Sequence, residues 1–258
     1  MRLMTGYREL LEKEVIEAWR THRLVIVAAL YVVLGIASPL IIRYLPDLQS
    51  LFGRVDEELG LGELGLPDAI DLVTRNLVQF GSIAAVLLAM GAVAGERERG
   101  TLGLVLSKPV SRTALLAAKF VGIAMVLGLA TVLGVLAMFL YSGLVFGPTD
   151  PLAWLQVAML LLLAVLVPAA ITFLGSVLSG SSLGAAGIGV AGLVALSLGS
   201  TLPTANPFFS TGLAEIARAV PLEGVGPDLD APRTIAVSIG IVVVALLLAW
   251  ARFRRSDV

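Results

Sequence analysis

Polar and apolar positions along the chain sort into long uncharged stretches separated by short charged ones. Leu24 to Ile42 carries no charge over 19 residues, Asn76 to Gly95 none over 20, Phe120 to Thr149 none over 30 and Thr234 to Ala251 none over 18. The longest uncharged run, Pro151 to Ala214, covers 64 residues. A helix crosses a bilayer core of about 30 Å with about 20 apolar residues. At about 1.5 Å per residue the longest run would extend about 96 Å as one helix, so it must fold back. Ser179-Gly180-Ser181-Ser182 has the composition of a turn, and Pro203 to Pro207 supplies a second break. The pattern predicts an all-α polytopic membrane protein with six transmembrane helices at about 24–42, 76–95, 119–146, 153–178, 183–202 and 234–251.

Residues 1–23 follow a different period. Met4, Tyr7, Leu11, Val15 and Ala18 recur at steps of three or four, with Leu10 and Trp19 beside them. Arg8, Glu9, Glu12, Lys13 and Glu17 lie elsewhere around the same helix, and Glu9 and Lys13 have the favourable i,i+4 order. This predicts an N-terminal amphipathic interfacial helix, with Trp19 and Tyr7 dipping inward. The segment has no apolar core before a small-residue cleavage site, so it does not read as a signal peptide.

Composition narrows the class further. Apolar residues make up 58% of the 258 and charged residues 14%, against about 25% charged in a soluble domain. A disordered chain and a nucleic-acid binder both need more charge. With no cysteine, a disulfide scaffold, a thiolate nucleophile and a Cys-ligated metal site are excluded. Net charge is −1, but its distribution is lopsided. The segments before span one, between spans two and three, and after span six hold 13 Lys and Arg, whereas the opposite side holds five: Arg43, Arg54, Arg75, Arg218 and Arg233. The positive-inside rule then puts both termini in the cytoplasm.

The spans read as packing surfaces. No ionisable residue lies in the middle of any of them, which weighs against a proton relay or a coupling-ion site. Gln79, Thr131, Gln156, Thr172 and Ser176 are expected to make interhelical hydrogen bonds. Span five carries small residues at two spacings, Gly187-Ala191-Ala195-Gly199 and Ser181-Ala185-Gly189, with Gly184 beside them. Such stripes let helices approach closely, which places span five centrally or at a subunit interface. Pro168 bends span four. The six methionines form no cluster and the one histidine, His22, abuts a span, so no metal site is expected.

The loop after span two is the most informative stretch. Gly95 and Gly100 can terminate span two, and Thr101 can cap a brief apolar helix over Leu102 to Leu106. Ser107-Lys108-Pro109 stops that helix. Ser111 can cap the helix entering span three, with Lys119 snorkelling to the interface. Leu102, Leu104, Val105 and Leu106 would form an exposed apolar patch, which marks a contact site.

Glu96-Arg97-Glu98-Arg99-Gly100-Thr101-Leu102, then Leu106-Ser107-Lys108-Pro109-Val110-Ser111-Arg112 and Lys119, resembles the signature of type-2 ABC exporter permeases. The branch it most resembles includes multicopper-enzyme maturation permeases. The resemblance implies that residues 1–23 are a connecting helix and 24–258 a six-span transmembrane domain. It implies that 96–112 is a cytoplasmic coupling segment, with Arg99 to Ser107 docking into a cleft of an ATPase and Glu96 to Arg99 flanking it. It further implies two permease copies and two copies of a cytoplasmic ABC ATPase. The chain contains no Gly-x-x-x-x-Gly-Lys-Ser/Thr loop, so ATP and Mg belong on that separate ATPase, and this chain is expected to bind no cofactor and to act on no substrate as an enzyme. The implied setting is the cytoplasmic (inner) membrane of a bacterium or archaeon, among membrane lipids and without nucleic acid. An ion-driven secondary transporter, a lipid-modifying enzyme and a non-transporting anchor or sensor subunit remain alternatives. The outer segments 43–75, acidic, and 203–233, with a short helix at Thr211 to Val220, read as surface loops, whereas the resemblance implies short re-entrant or outer helices in 203–233.

Overall fold

The computed structural model describes residues 6–51, 64–102, 110–200, 211–222 and 230–255, apart from the side chains at 46–51, 199–200 and 211. Among these residues every regular element is a helix. The order is α1 (Tyr7–Arg20), α2 (Arg23–Leu51), α3 (Leu66–Met90), a short α4 (Ala94–Glu98), α5 (Arg112–Phe146), α6 (Pro151–Leu178), α7 (Ser182–Ser200), α8 (Thr211–Ala219) and α9 (Ala231–Arg254). Within α2, Arg23–Leu45 is long and apolar enough to cross a membrane, as are Leu66–Glu98, α5, α6 and α9, whereas the apolar helix Ser182–Leu198 falls short of that length.

Helix starts follow local chemistry. Asp68 Oδ2 accepts the Gly65 amide, and Pro67 occupies the first turn of α3. Ser111 Oγ accepts the Ala114 amide at 3.1 Å, as its position before span three predicts. Asp150 and Asp230 cap α6 and α9 in the same way, each followed by a proline in the first turn.

One predicted boundary moves. Span two does not run unbroken to Gly95, because the α-helix stops at Met90 and a turn at 91–93 leads into α4. Ser176 of α6 makes that elbow possible. Its Oγ accepts the Val93 and Ala94 amides at 3.0 Å each and donates to the Met90 carbonyl at 2.9 Å, replacing the helical partners the turn gives up. α4 ends as expected at Gly100, whose φ of +68° suits glycine. The Thr101 amide bonds Glu96 O and the Gly100 amide bonds Arg97 O, forming a Schellman motif.

The bundle is built around α6. Two thirds of its most apolar window is buried, against about a fifth for α9, and it packs against α3, α5, α7, α8 and α9. α2 lies along α5 at very close approach. Tyr31, fully buried, explains the fit: its Cβ and backbone sit over Gly134, where an added Cβ would stand 2.9 Å from Tyr31 Cβ. The Tyr31 hydroxyl lies against Gly81 and donates to the Leu77 carbonyl at 3.1 Å, joining α2, α3 and α5.

Of the polar span residues, Ser176 bridges helices as expected, while Thr131 and Thr172 donate to carbonyls one turn back in their own helices. α8 is no surface loop. Leu213, Ile216 and Ala217 are buried against the bundle, and Arg218 pairs with Asp71 of α3.

Candidate functional site: a charged elbow at one end of the bundle

The residues of the motif loop converge where α1, α4 and the first turns of α5 meet. Lys119 is the centre. Its side chain is 4% exposed, with Nζ 2.8 Å from Glu96 Oε1 and 3.0 Å from Glu14 Oε1. The expectation of a snorkelling lysine is therefore overturned: two carboxylates surround the ammonium inside the protein, and its charge is balanced there. A buried lysine persists when paired and hydrogen-bonded.

Lys13 joins the same cluster. Its Nζ lies 3.1 Å from Glu96 Oε1, 3.7 Å from Glu14 and 3.8 Å from Glu17. The i,i+4 pair expected between Glu9 and Lys13 is replaced by these contacts, and Arg8–Glu12 and Lys13–Glu17 are the i,i+4 pairs along α1 instead. Burial works to lower the Lys13 pKa, but the surrounding Glu96, Glu14 and Glu17 outweigh it and hold it above the ordinary lysine value. Glu96 Oε1 thus takes both lysines, while its buried Oε2 has no hydrogen-bond partner.

α1 lies on α5 through Leu10, which is buried, with Tyr7, Leu11 and Ala18 partly covered. Glu14 reaches Lys119 because Gly122, one turn further on, leaves room: a Cβ there would stand 3.0 Å from Glu14 Cβ. The opposite face of α1 leaves Ile16 and Trp19 exposed, as an interfacial helix requires.

The other charges of α4 turn toward the α6–α7 turn. Arg97 Nη1 donates to Ser179 O at 2.6 Å, at the C-terminal end of α6. The Glu98 carboxylate accepts the Ser182 amide at 3.1 Å and its hydroxyl at 2.6 Å, at the first residue of α7. Each charge meets the helix end of opposite partial charge. Arg99 is exposed.

Arg112 points elsewhere. Its Nη1 donates to the carbonyls of Phe253 and Arg254 at 3.2 and 3.1 Å, and Trp250 Nε1 donates to Thr113 at 3.0 Å, so the start of α5 grips the end of α9. Leu102 is 2% exposed and belongs to the chain's own core, which removes it from the apolar patch expected of the loop. Leu106, Ser107, Lys108 and Pro109 lie outside the described residues.

The small residues of α7 divide by face. Ala185 and Gly189 are buried, and a Cβ on Gly189 would collide with Thr172 of α6. Gly184 sits against Ser179 and Ser181 in the preceding turn. Gly187, Ala191 and Ala195 are exposed, on the face turned away from α6.

Sequence reasoning missed Lys13, Glu14 and Ser182 as parts of this arrangement, and foresaw the bridging of Ser176 without its partners. For Glu14 one hint existed: it is the carboxylate of α1 flanked by the apolar Leu10, Leu11 and Ala18, a position that faces the bundle when the helix docks.

Among the described residues, five helices long and apolar enough to cross a membrane, with an amphipathic helix and a charged elbow at one end, mark a multi-pass, membrane-embedded protein. The chain belongs to the family described as "ABC-2 family transporter protein", whose model matches residues 8–258. It is similar to the "Uncharacterized transmembrane protein YxlG" of Bacillus subtilis, 29% identical over 105 residues, 40% of each chain. It is also similar to the "Probable ABC transporter permease protein NosY" of Pseudomonas aeruginosa and of Stutzerimonas stutzeri, 38% identical over 74 residues, 29% of this chain and 27% of theirs. The aligned parts therefore span less than half the length of these curated relatives.

Proposed function

We propose that this chain is the membrane subunit of an ABC exporter, coupling ATP hydrolysis by a separate cytoplasmic ATPase to movement of a substrate across the membrane. The observation that carries the reading is the Lys119 cluster. One buried ammonium ties the interfacial helix through Glu14 and the α4 elbow through Glu96 to the start of a spanning helix. A push on the loop at 101–111 is then delivered to α1, α3 and α5 together, which is what a coupling segment must do.

The same reading assigns α7 as a sixth span. Its 19 residues reach about 28 Å at 1.5 Å per residue, close to the bilayer core. It puts both termini in the cytoplasm, on the side where basic residues concentrate. It pairs two copies, with the exposed Gly187-Ala191-Ala195 face of α7 at their contact. Arg97 and Glu98 would carry loop movement to that helix through the α6–α7 turn. ATP and Mg belong to the ATPase in this scheme.

The test replaces Leu104, Val105 and Leu106 with Gly or Ser and leaves the buried Leu102 in place. Co-expressed with an ABC ATPase encoded beside it, the variant should lose both co-purification of that ATPase and stimulation of ATP hydrolysis. If both survive, the coupling assignment is wrong.

A further inference from the structure

Beside the charged elbow, α1, α3 and α5 enclose a cavity of about 830 Å³, within the size range of ligand pockets. Its two ends differ in chemistry. One end is walled by Leu88, Ile123 and Val126. Leu87, which also lines it, is 58% exposed on a spanning helix, so this end is continuous with the hydrocarbon-facing surface. The other end is charged and lies under the interfacial helix.

The state of those charges selects an occupant. The lining holds five carboxylates (Glu9, Glu14, Glu17, Glu96, Glu98) and four cations (Lys13, Arg23, Arg99, Lys119). Glu14 and Glu96 are held by Lys119 and Lys13, and Glu98 by Ser182. Glu17 lies near Lys13 and Arg23 only at 3.8 and 4.0 Å. Glu9 and Arg99 are exposed residues of opposite sign on the wall. An anionic head would add to a negative excess. A head carrying both an N–H cation and a phosphate meets both signs at once, and an acyl chain covers the apolar end.

We infer that this cavity binds one ethanolamine phospholipid from the leaflet on which α1 lies, with its ammonium at Glu9, its phosphate at Arg99, and a chain against Leu88, Ile123 and Val126. The primary ammonium donates hydrogen bonds to carboxylates, which a trimethylated choline head cannot do. The inference rests on the membrane setting alone, so it stands or falls independently of ATPase coupling.

The test uses the full chain, purified and exchanged into phosphatidylethanolamine, phosphatidylcholine or phosphatidylglycerol of identical acyl chains. Bound lipids are then counted by native mass spectrometry as detergent is raised. One ethanolamine lipid per chain should persist after the other two have been lost. Arg99→Gln should weaken that retention about tenfold, the scale of one charged hydrogen bond. Ile123→Trp should abolish it by filling the apolar end. Equal retention of the three lipids, retention of none, or an Arg99→Gln variant that holds the ethanolamine lipid as well as the parent each overturns the inference. If Ile123→Trp does not fold, the lipid series and the Arg99 variant still decide.

Discussion

At the residue scale, two side chains carry more of this structure than their surroundings suggest. Lys119 balances two carboxylates out of water. Replacing it with methionine keeps the length and removes the charge, stranding Glu14 and leaving Glu96 with Lys13 alone. The expected loss is about 3 kcal/mol, read as a lower denaturation midpoint in detergent. Adding Glu14→Gln should recover part of it, because the stranded charge then disappears. Ser176 is the second. Ser176→Ala orphans two buried amides and a carbonyl at the α3–α4 elbow, at a cost of about 1–3 kcal/mol, with faster hydrogen exchange at Val93 and Ala94 as the local readout. The bridging of Ser176 was expected from the sequence, but the partners of neither residue were. Lys119 was legible as a boundary residue, but its partners lie 105 and 23 positions away, and periodicity carries no record of which distant charges meet. Ser176 sits in an uncharged stretch where a hydroxyl looks the same whether it bonds its own helix or a neighbour. Ser111 and Gly100, by contrast, were legible because a cap needs only local neighbours.

At the scale of elements, the docking of α1 has a defined pH dependence. The raised Lys13 pKa means that the folded state favours the protonated amine. The contribution is full below the ordinary lysine value of about 10.4 and is lost as pH rises through the higher folded value. Docking should therefore be constant across neutral pH and loosen only in strongly alkaline buffer. The chain has no cysteine, so a fluorophore on Ile16→Cys, an exposed site, reports α1 mobility cleanly. Anisotropy that falls already between pH 7 and 9 would contradict this account. Elements were the best-read level of the sequence, since uncharged length locates helices directly. The misplaced end of span two shows the limit. An uncharged run reads as continuous even where a neighbouring helix supplies hydroxyl partners for a break.

At the scale of the whole molecule, the class and the crowding of motif residues at one end were legible, whereas the partition of α7 into a packed and an exposed face was not. Both of its stripes have small residues at equal spacing, and only the position of α6 decides which one is covered. The topology predicts labelling from opposite sides of the membrane. Single cysteines at Arg20 and Arg255 should react with an impermeant maleimide only from the cytoplasmic face, and one at Asp150 only from the other. Arg20 and Asp150 labelled from the same face would refute the arrangement.

α6 also has a mechanical consequence. Among the described residues, α6 touches most of the other helices and occupies the middle of the bundle. In the proposed scheme the cargo path therefore runs along a flank, against the second copy that the scheme pairs with this one. In that scheme Pro168, which removes one backbone donor inside α6, is the point at which this central helix would bend.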